Sequence, residues 1–186
     1  MLKKLLIPFV FVIVVSAIYF VSQARQAKED SKSEVRTFLK EGQQYIPFSL
    51  KDLKGKTINT KDLEGKVLFV NFWATWCVPC KTEMPSMQAL DEKLNKKYPN
   101  QFKMLAVNID TVNVPQVVEL FALDLKLKFP ILLDTKDIKD KYKTTGVPET
   151  FIIDKKGKIA KMYVGAIDWN LSKNIDTIEK IITKDK

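Results

Sequence analysis

From Lys66 to Trp73 the chain reads Lys-Val-Leu-Phe-Val-Asn-Phe-Trp, a nearly continuous apolar and β-rich run. A strand covered on both faces has this pattern, because neither face meets water. Met84, Met87, Leu90, Leu94 and Tyr98 then recur at spacings of three and four, which predicts a helix over residues 79–97 with a kink at Pro85. A strand over 102–109 follows, then a helix over 114–125 with Pro115 in its first turn, where a missing N–H costs little. A short strand is expected at 131–133 and a short helix or turn at 138–142. Residues 150–153 and 158–164 flank Asp154-Lys155-Lys156-Gly157 and predict a hairpin. An amphipathic helix over 170–182 closes the chain. Upstream, 46–50 and 57–59 flank a Lys54-Gly55 turn, a small N-terminal hairpin. Strands alternating with helices and ending in an antiparallel pair give a mixed α/β sheet covered by helices.

The first residues follow another rule. Met1-Leu2-Lys3-Lys4 precedes an apolar run over 5–21, at the lower edge of the length that spans a bilayer. The leading lysines favour an N-terminus in the cytoplasm and a domain outside it. An uncleaved transmembrane anchor over 1–22 is expected. Cleavage after Ala24 competes with it, because Ser22 and Ala24 are small residues at the −3 and −1 positions. Either way the domain leaves the cytoplasm, and a single-pass protein on the extracytoplasmic side of the cell membrane is expected. Residues 23–43 are charged and poor in apolar positions and read as a tether. The folded domain is expected over 44–186.

Composition narrows the chemistry. Lys and Arg number 31 against 22 Asp and Glu, a formal net charge of +9. The lysines are scattered rather than clustered with aromatics, so no nucleic-acid footprint results. A solvated cationic surface with mild attraction to anionic lipid accounts for them, as would an acidic partner. The chain has no histidine and two cysteines. Ser-His and Cys-His catalysis are therefore excluded, and two thiols cannot complete a tetrahedral metal site. No metal and no cofactor is implied.

The two cysteines stand in Trp73-Ala74-Thr75-Trp76-Cys77-Val78-Pro79-Cys80, where the buried strand ends and the helix begins. Disulfide exchange needs a thiolate to attack and a second thiol near enough to resolve the mixed disulfide. The helix N-terminus supplies unpaired N–H groups and partial positive charge that favour a thiolate at Cys77. Cys77, at an exposed helix tip, is expected to attack, and Cys80, one turn in and more buried, to resolve. A purely stabilising disulfide is the alternative, but a loop this short constrains little of the unfolded chain.

A second motif, Thr145-Gly146-Val147-Pro148-Glu149-Thr150-Phe151, follows much later. On its own it reads equally as an ordinary loop proline leading into a strand. Together with the strand–WCxxC–helix unit it resembles the thioredoxin superfamily, and more narrowly the membrane-anchored, extracytoplasmic TlpA/ResA/CcmG-type proteins. The resemblance covers the chain from about Tyr45 to the C-terminus. It implies a thioredoxin-like sheet flanked by helices, with an N-terminal β-hairpin and a central inserted strand–helix unit between Phe102 and Leu125. It also implies a cis bond before Pro148, facing the sulfurs, and a backbone at Val147 that receives a substrate strand. Two departures matter. Thioredoxins carry an acid six residues before the first cysteine, where this chain has Asn71. The TlpA/ResA-type proteins instead place an acid three residues after the second cysteine, where Glu83 stands; Glu83 would take the proton from Cys80 during resolution. A solvated helix glutamate is the plainer reading. Glu149 is a second candidate carboxylate, and Trp76 is expected to shape the site beside Val147, Pro148 and Glu149.

These features point to a thiol-disulfide oxidoreductase, most simply a reductase for disulfides in exported proteins, with the CxxCH pair of an apocytochrome c as the substrate that the family implies. In an oxidising compartment the pair must be re-reduced, so a membrane thiol-electron carrier is implied as partner. The alternatives are a disulfide-forming or isomerising protein, and a membrane-tethered binding or assembly protein without turnover. A peroxidase is set aside, because Ala74 stands where peroxiredoxins place Thr or Ser.

Overall fold

At the centre of the molecule, β3 (Val67–Trp73) is buried at all seven positions. It pairs in parallel with β4 (Phe102–Asn108) on one side and antiparallel with β6 (Glu149–Ile153) on the other. The sheet is completed by β5 (Ile131–Leu133), parallel to β4, and by β7 (Ile159–Val164), antiparallel to β6, in the order β5-β4-β3-β6-β7. A separate two-stranded hairpin joins β1 (Ser49–Lys51) to β2 (Thr57–Asn59). The helices are α1 (Val78–Lys97), α2 (Val114–Asp124), α3 (Ile138–Tyr142) and α4 (Ser172–Thr183). This computed structural model describes residues 16, 19–23, 39–111 and 114–184.

The alternation of β3 sorts its side chains to two cores. Val67, Phe69 and Trp73 meet Met84, Met87, Leu90 and Leu94 of α1 together with Ile175, Ile178 and Ile182 of α4. Leu68, Val70 and Phe72 meet Leu105, Val107, Phe151, Phe48 and Tyr142. Fully burying each such side chain contributes roughly 1.5–3 kcal/mol. The apolar positions at spacings of three and four on α1 therefore fix which way the helix lies on the sheet. Asn71 shares its parity with Val67, Phe69 and Trp73 and so faces α1. α1 runs through Pro85 as one helix.

β4 and α2 occupy the place of the expected insertion, but β4 lies inside the sheet, bonded on both sides; β5 forms the edge. Residues 38–186 make up one compact unit. Its described part starts ahead of the expected boundary at 44. The Gly42 N–H donates to Ile159 O at 2.7 Å, and the Ile159 N–H donates to Gln43 O at 2.8 Å. Those bonds put the last residues of the expected tether on the sheet. Residues 1–37 form the other unit, of which 16 and 19–23 are described, helical and exposed. Among the described residues no helix is long and apolar enough to cross a membrane. Most of the expected anchor at 1–22, and of the tether at 23–43, lies outside the described residues.

Candidate active site

Cys77 is the N-cap of α1, with extended backbone angles and a sulfur that accepts the Cys80 N–H at 3.2 Å. Pro79 occupies the first turn, where no N–H is required. The helix therefore begins at the cysteine because the sulfur takes the cap position and the proline sets the first turn. Cys77 and Cys80 are joined as a disulfide. The turn before them is held from β4: the Asp110 carboxylate accepts the Thr75 N–H through both oxygens, at 3.1 and 3.3 Å. Asn108 Nδ2 donates to Asp110 Oδ2 at 3.1 Å, and the Ile109 N–H donates to Trp73 O at 2.9 Å.

The expectation of an exposed attacking cysteine is corrected. Cys77 is 4% exposed and Cys80 1%. The cover includes the loop before β6, whose Val147 carbonyl oxygen lies 3.6 Å from Cys77 Sγ. The Val147–Pro148 peptide bond is cis. Pro148 is buried, Val147 partly so, and the Pro148 carbonyl accepts the Gly165 N–H at 2.9 Å. Two large apolar side chains stand exposed beside this covered disulfide: Trp76 is 69% exposed and Val78 76%. Trp73 by contrast is fully buried, its ring 4.9 Å from that of Phe121 on α2.

Glu83 is buried on α1, one turn beyond Cys80. It is not a solvated helix glutamate. Its Oε1 accepts two donors from the turn after β7, the Trp169 indole N–H at 2.5 Å and the Ile167 N–H at 3.3 Å. Burial pushes its carboxyl up to about 7, against the opposing pull of the bonds from Trp169 and Ile167 and of the Asn71 amide on the facing strand. Asn71 Nδ2 donates to Thr150 Oγ1 at 2.9 Å, its register partner on β6. Asn71 cannot exchange a proton, so the acid of this helix–sheet interface is on the helix. Glu149 is buried too, and burial raises its carboxyl above the usual range. Its Oε2 accepts the Thr145 N–H at 2.9 Å, so this carboxylate is engaged with the loop that carries Val147 and Pro148.

Motif reading found the cysteines, Glu83 and the Val147-Pro148-Glu149 segment. It did not find Asp110, Ser86 or Trp169. Ser86 Oγ accepts the Trp169 N–H at 3.1 Å and so fastens the same turn to α1. The only cue in the chain was a bulky indole in a polar turn, since its partners are more than eighty residues away. Among the described residues no group of His, Cys, Asp and Glu could hold a metal ion.

This arrangement has counterparts. The AhpC/TSA family model matches residues 42–162. The thioredoxin-like protein YneN of Bacillus subtilis is 43% identical over 138 residues, covering 74% of this chain and 78% of the relative. The thiol-disulfide oxidoreductase ResA of the same organism is 38% identical over 133 residues, 69% of this chain and 70% of the relative. Among solved structures, StoA from Bacillus subtilis is similar at a TM-score of 0.60 and 29% identity, covering 71% of this chain and 96% of that one. A DsbE-type thiol:disulfide interchange protein from Chlorobium tepidum reaches 0.69 at 26% identity, covering 77% and 99%. With its CxxC pair at the head of α1, the chain belongs to the AhpC/TSA family and, within it, to the thioredoxin-like thiol-disulfide oxidoreductases of the ResA type.

Proposed function

We propose that this protein is tethered to the cell membrane on its extracytoplasmic side and reduces disulfides in exported proteins, among them the CxxCH pair of apocytochrome c. The observation that carries the site assignment is the placement of Cys77 Sγ against the Val147 carbonyl, with Cys80 deeper and Glu83 buried one turn on. A substrate strand lying along Val147 brings its disulfide to Cys77. The Cys77 thiolate attacks one substrate sulfur, forming a mixed disulfide and releasing the other sulfur as a thiolate that takes up a proton. Glu83 then accepts the Cys80 proton. The Cys80 thiolate attacks Cys77, the Cys77–Cys80 bond forms, and the second substrate sulfur leaves reduced. Two electrons have passed to the substrate. A membrane thiol-electron carrier returns them to the pair.

Neither Val78 nor Pro79 bears a charge that would stabilise a thiolate, which favours a reducing pair over a strong oxidant. The apolar run at 5–21 and its leading lysines support the tether and its orientation. The test is Cys80→Ser expressed in native membranes. A reductase accumulates mixed disulfides through Cys77, and the attached proteins include exported thiol proteins with CxxCH segments. A Cys77→Ser variant that still reduces protein disulfides would overturn the assignment.

A further inference from the structure

We propose that Trp169 is a positioning residue for the proton-handling carboxyl of Glu83, its indole N–H holding Oε1 so that the exchangeable proton is carried on Oε2. This rests on the reading of Glu83 as the group that accepts the Cys80 proton, and it adds a residue that no motif marks.

The two oxygens of Glu83 are unequal. Oε1 accepts both N–H donors, from Trp169 and from Ile167, while Oε2 is buried with no hydrogen-bond partner. A carboxyl oxygen that already accepts two hydrogen bonds has no lone pair free for a proton, so protonation falls to its neighbour. Asn71 Oδ1, on the strand facing α1, is likewise buried with no hydrogen-bond partner.

The indole is held from several directions. Trp169 is fully buried, its ring 4.7 Å from Phe69 and 5.1 Å from Tyr163, both edge-on. Its backbone N–H goes to Ser86 Oγ, and Ser86 is one turn from Glu83 on the same helix. The donor is therefore fixed to the helix that carries the acceptor. That is what a charge-sensitive bond needs in order to act on proton affinity rather than merely follow it.

Other titratable groups surround the carboxyl without setting it. Asp168 is in the same turn, exposed, and accepts the Asn170 N–H. Tyr163 is on β7, Glu149 on β6, and the two cysteines head α1; Lys81 is turned to Asp124. Burial, Trp169, Ile167 and Asn71 are what act on Glu83.

The test uses the full chain with Cys77 held in a mixed disulfide with a small thiol. The rate of its resolution by Cys80 is followed across pH. In the parent protein the rate rises through a limb set by Glu83. Trp169→Phe removes the donor, and replacing the tryptophan at this one site by benzothienylalanine removes it while keeping the double-ring shape. The second variant decides if the first does not fold. Without the donor the carboxylate is less favoured, so the limb moves about one pH unit higher and resolution below it slows about tenfold, with the alkaline plateau retained. A limb that stays in place, with only thermal stability lowered, would overturn the positioning role. If Glu83→Gln abolishes the limb while both Trp169 variants leave it unmoved, the Trp169 inference fails and the Glu83 reading stands. If Glu83→Gln leaves the limb intact, both fail.

Discussion

Asp110 grips the Thr75 N–H with both carboxylate oxygens, at 3.1 and 3.3 Å, and thereby fastens the turn before Cys77 to the end of β4. The bond is charge-assisted and partly buried, so it contributes more than a neutral turn bond. Asp110→Ala is expected to lower stability by roughly 1.5–3 kcal/mol. Because the freed turn carries Trp76 and Cys77, disulfide reduction should fall as well. Denaturant unfolding beside a turnover assay reads both effects. A variant as stable and as active as the parent would remove Asp110 from the support of the site.

The raised carboxyl of Glu83 makes stability depend on pH in a stated direction. Between the ordinary glutamate value of 4.5 and about 7, the folded protein holds a proton that the unfolded chain has released. Stability therefore falls as pH rises through that window, by about 3 kcal/mol in all. The oxidised protein is the form to measure, since disulfide sulfurs do not titrate. Glu83→Gln should flatten most of the slope. A residual slope of the same sign should come from Glu149 and Asp91, whose carboxyls are also raised by burial, and should shrink further in Glu83→Gln/Glu149→Gln.

Trp76 separates substrate handling from folding. Its ring is largely exposed beside a covered disulfide. Trp76→Ala should change stability by less than about 0.5 kcal/mol. It should slow reduction of protein disulfides more than reduction of a small-molecule disulfide, because only the former spread over the surface around Cys77. Equal slowing of both would count against a contact role.

Gly157 combines a left-handed backbone with a crowded surrounding. Its φ is +76°, and a Cβ there would fall 2.8 Å from Gln44 Nε2 and 3.1 Å from the Tyr45 ring. Gly157→Ala is expected to cost roughly 1–2 kcal/mol from the backbone alone, and more from the ring. A thermal shift of the isolated variant is the measurement.

Much of this was legible because it is local. β3 announced itself by an unbroken apolar run, α1 by its spacing of three and four, and the redox pair by two thiols across a strand-to-helix turn. Glu83 could be placed on the helix face of Cys80 by counting, yet its burial could not, because the groups that bury it arrive from beyond β7. Cys77 was expected in the open for the same reason: the Val147 loop that covers it is seventy residues away. Asp110 had no local signature, and Trp169 only that of an indole in a polar turn. An aspartate after a strand and a tryptophan in a turn acquire meaning only when the sheet brings their partners within hydrogen-bond reach.

The bonds between residues 42–44 and the start of β7 bear on how the molecule avoids its own kind. β7 is an outer strand, and an outer strand offers a row of unpaired amides to any passing chain. At Ile159 both backbone groups are already taken, by Gly42 and Gln43. Lys161, two residues on, is paired with Glu41 at 3.0 Å, which sets charge along the same border. The segment arriving from the N-terminal side thus seals one end of the sheet against stacking with a neighbouring copy. The unsealed end is at Val164, opposite Glu149 and beside the Pro148 loop. The start of β7 is thus closed to a neighbouring copy, while its far end lies next to the loop that covers the sulfurs.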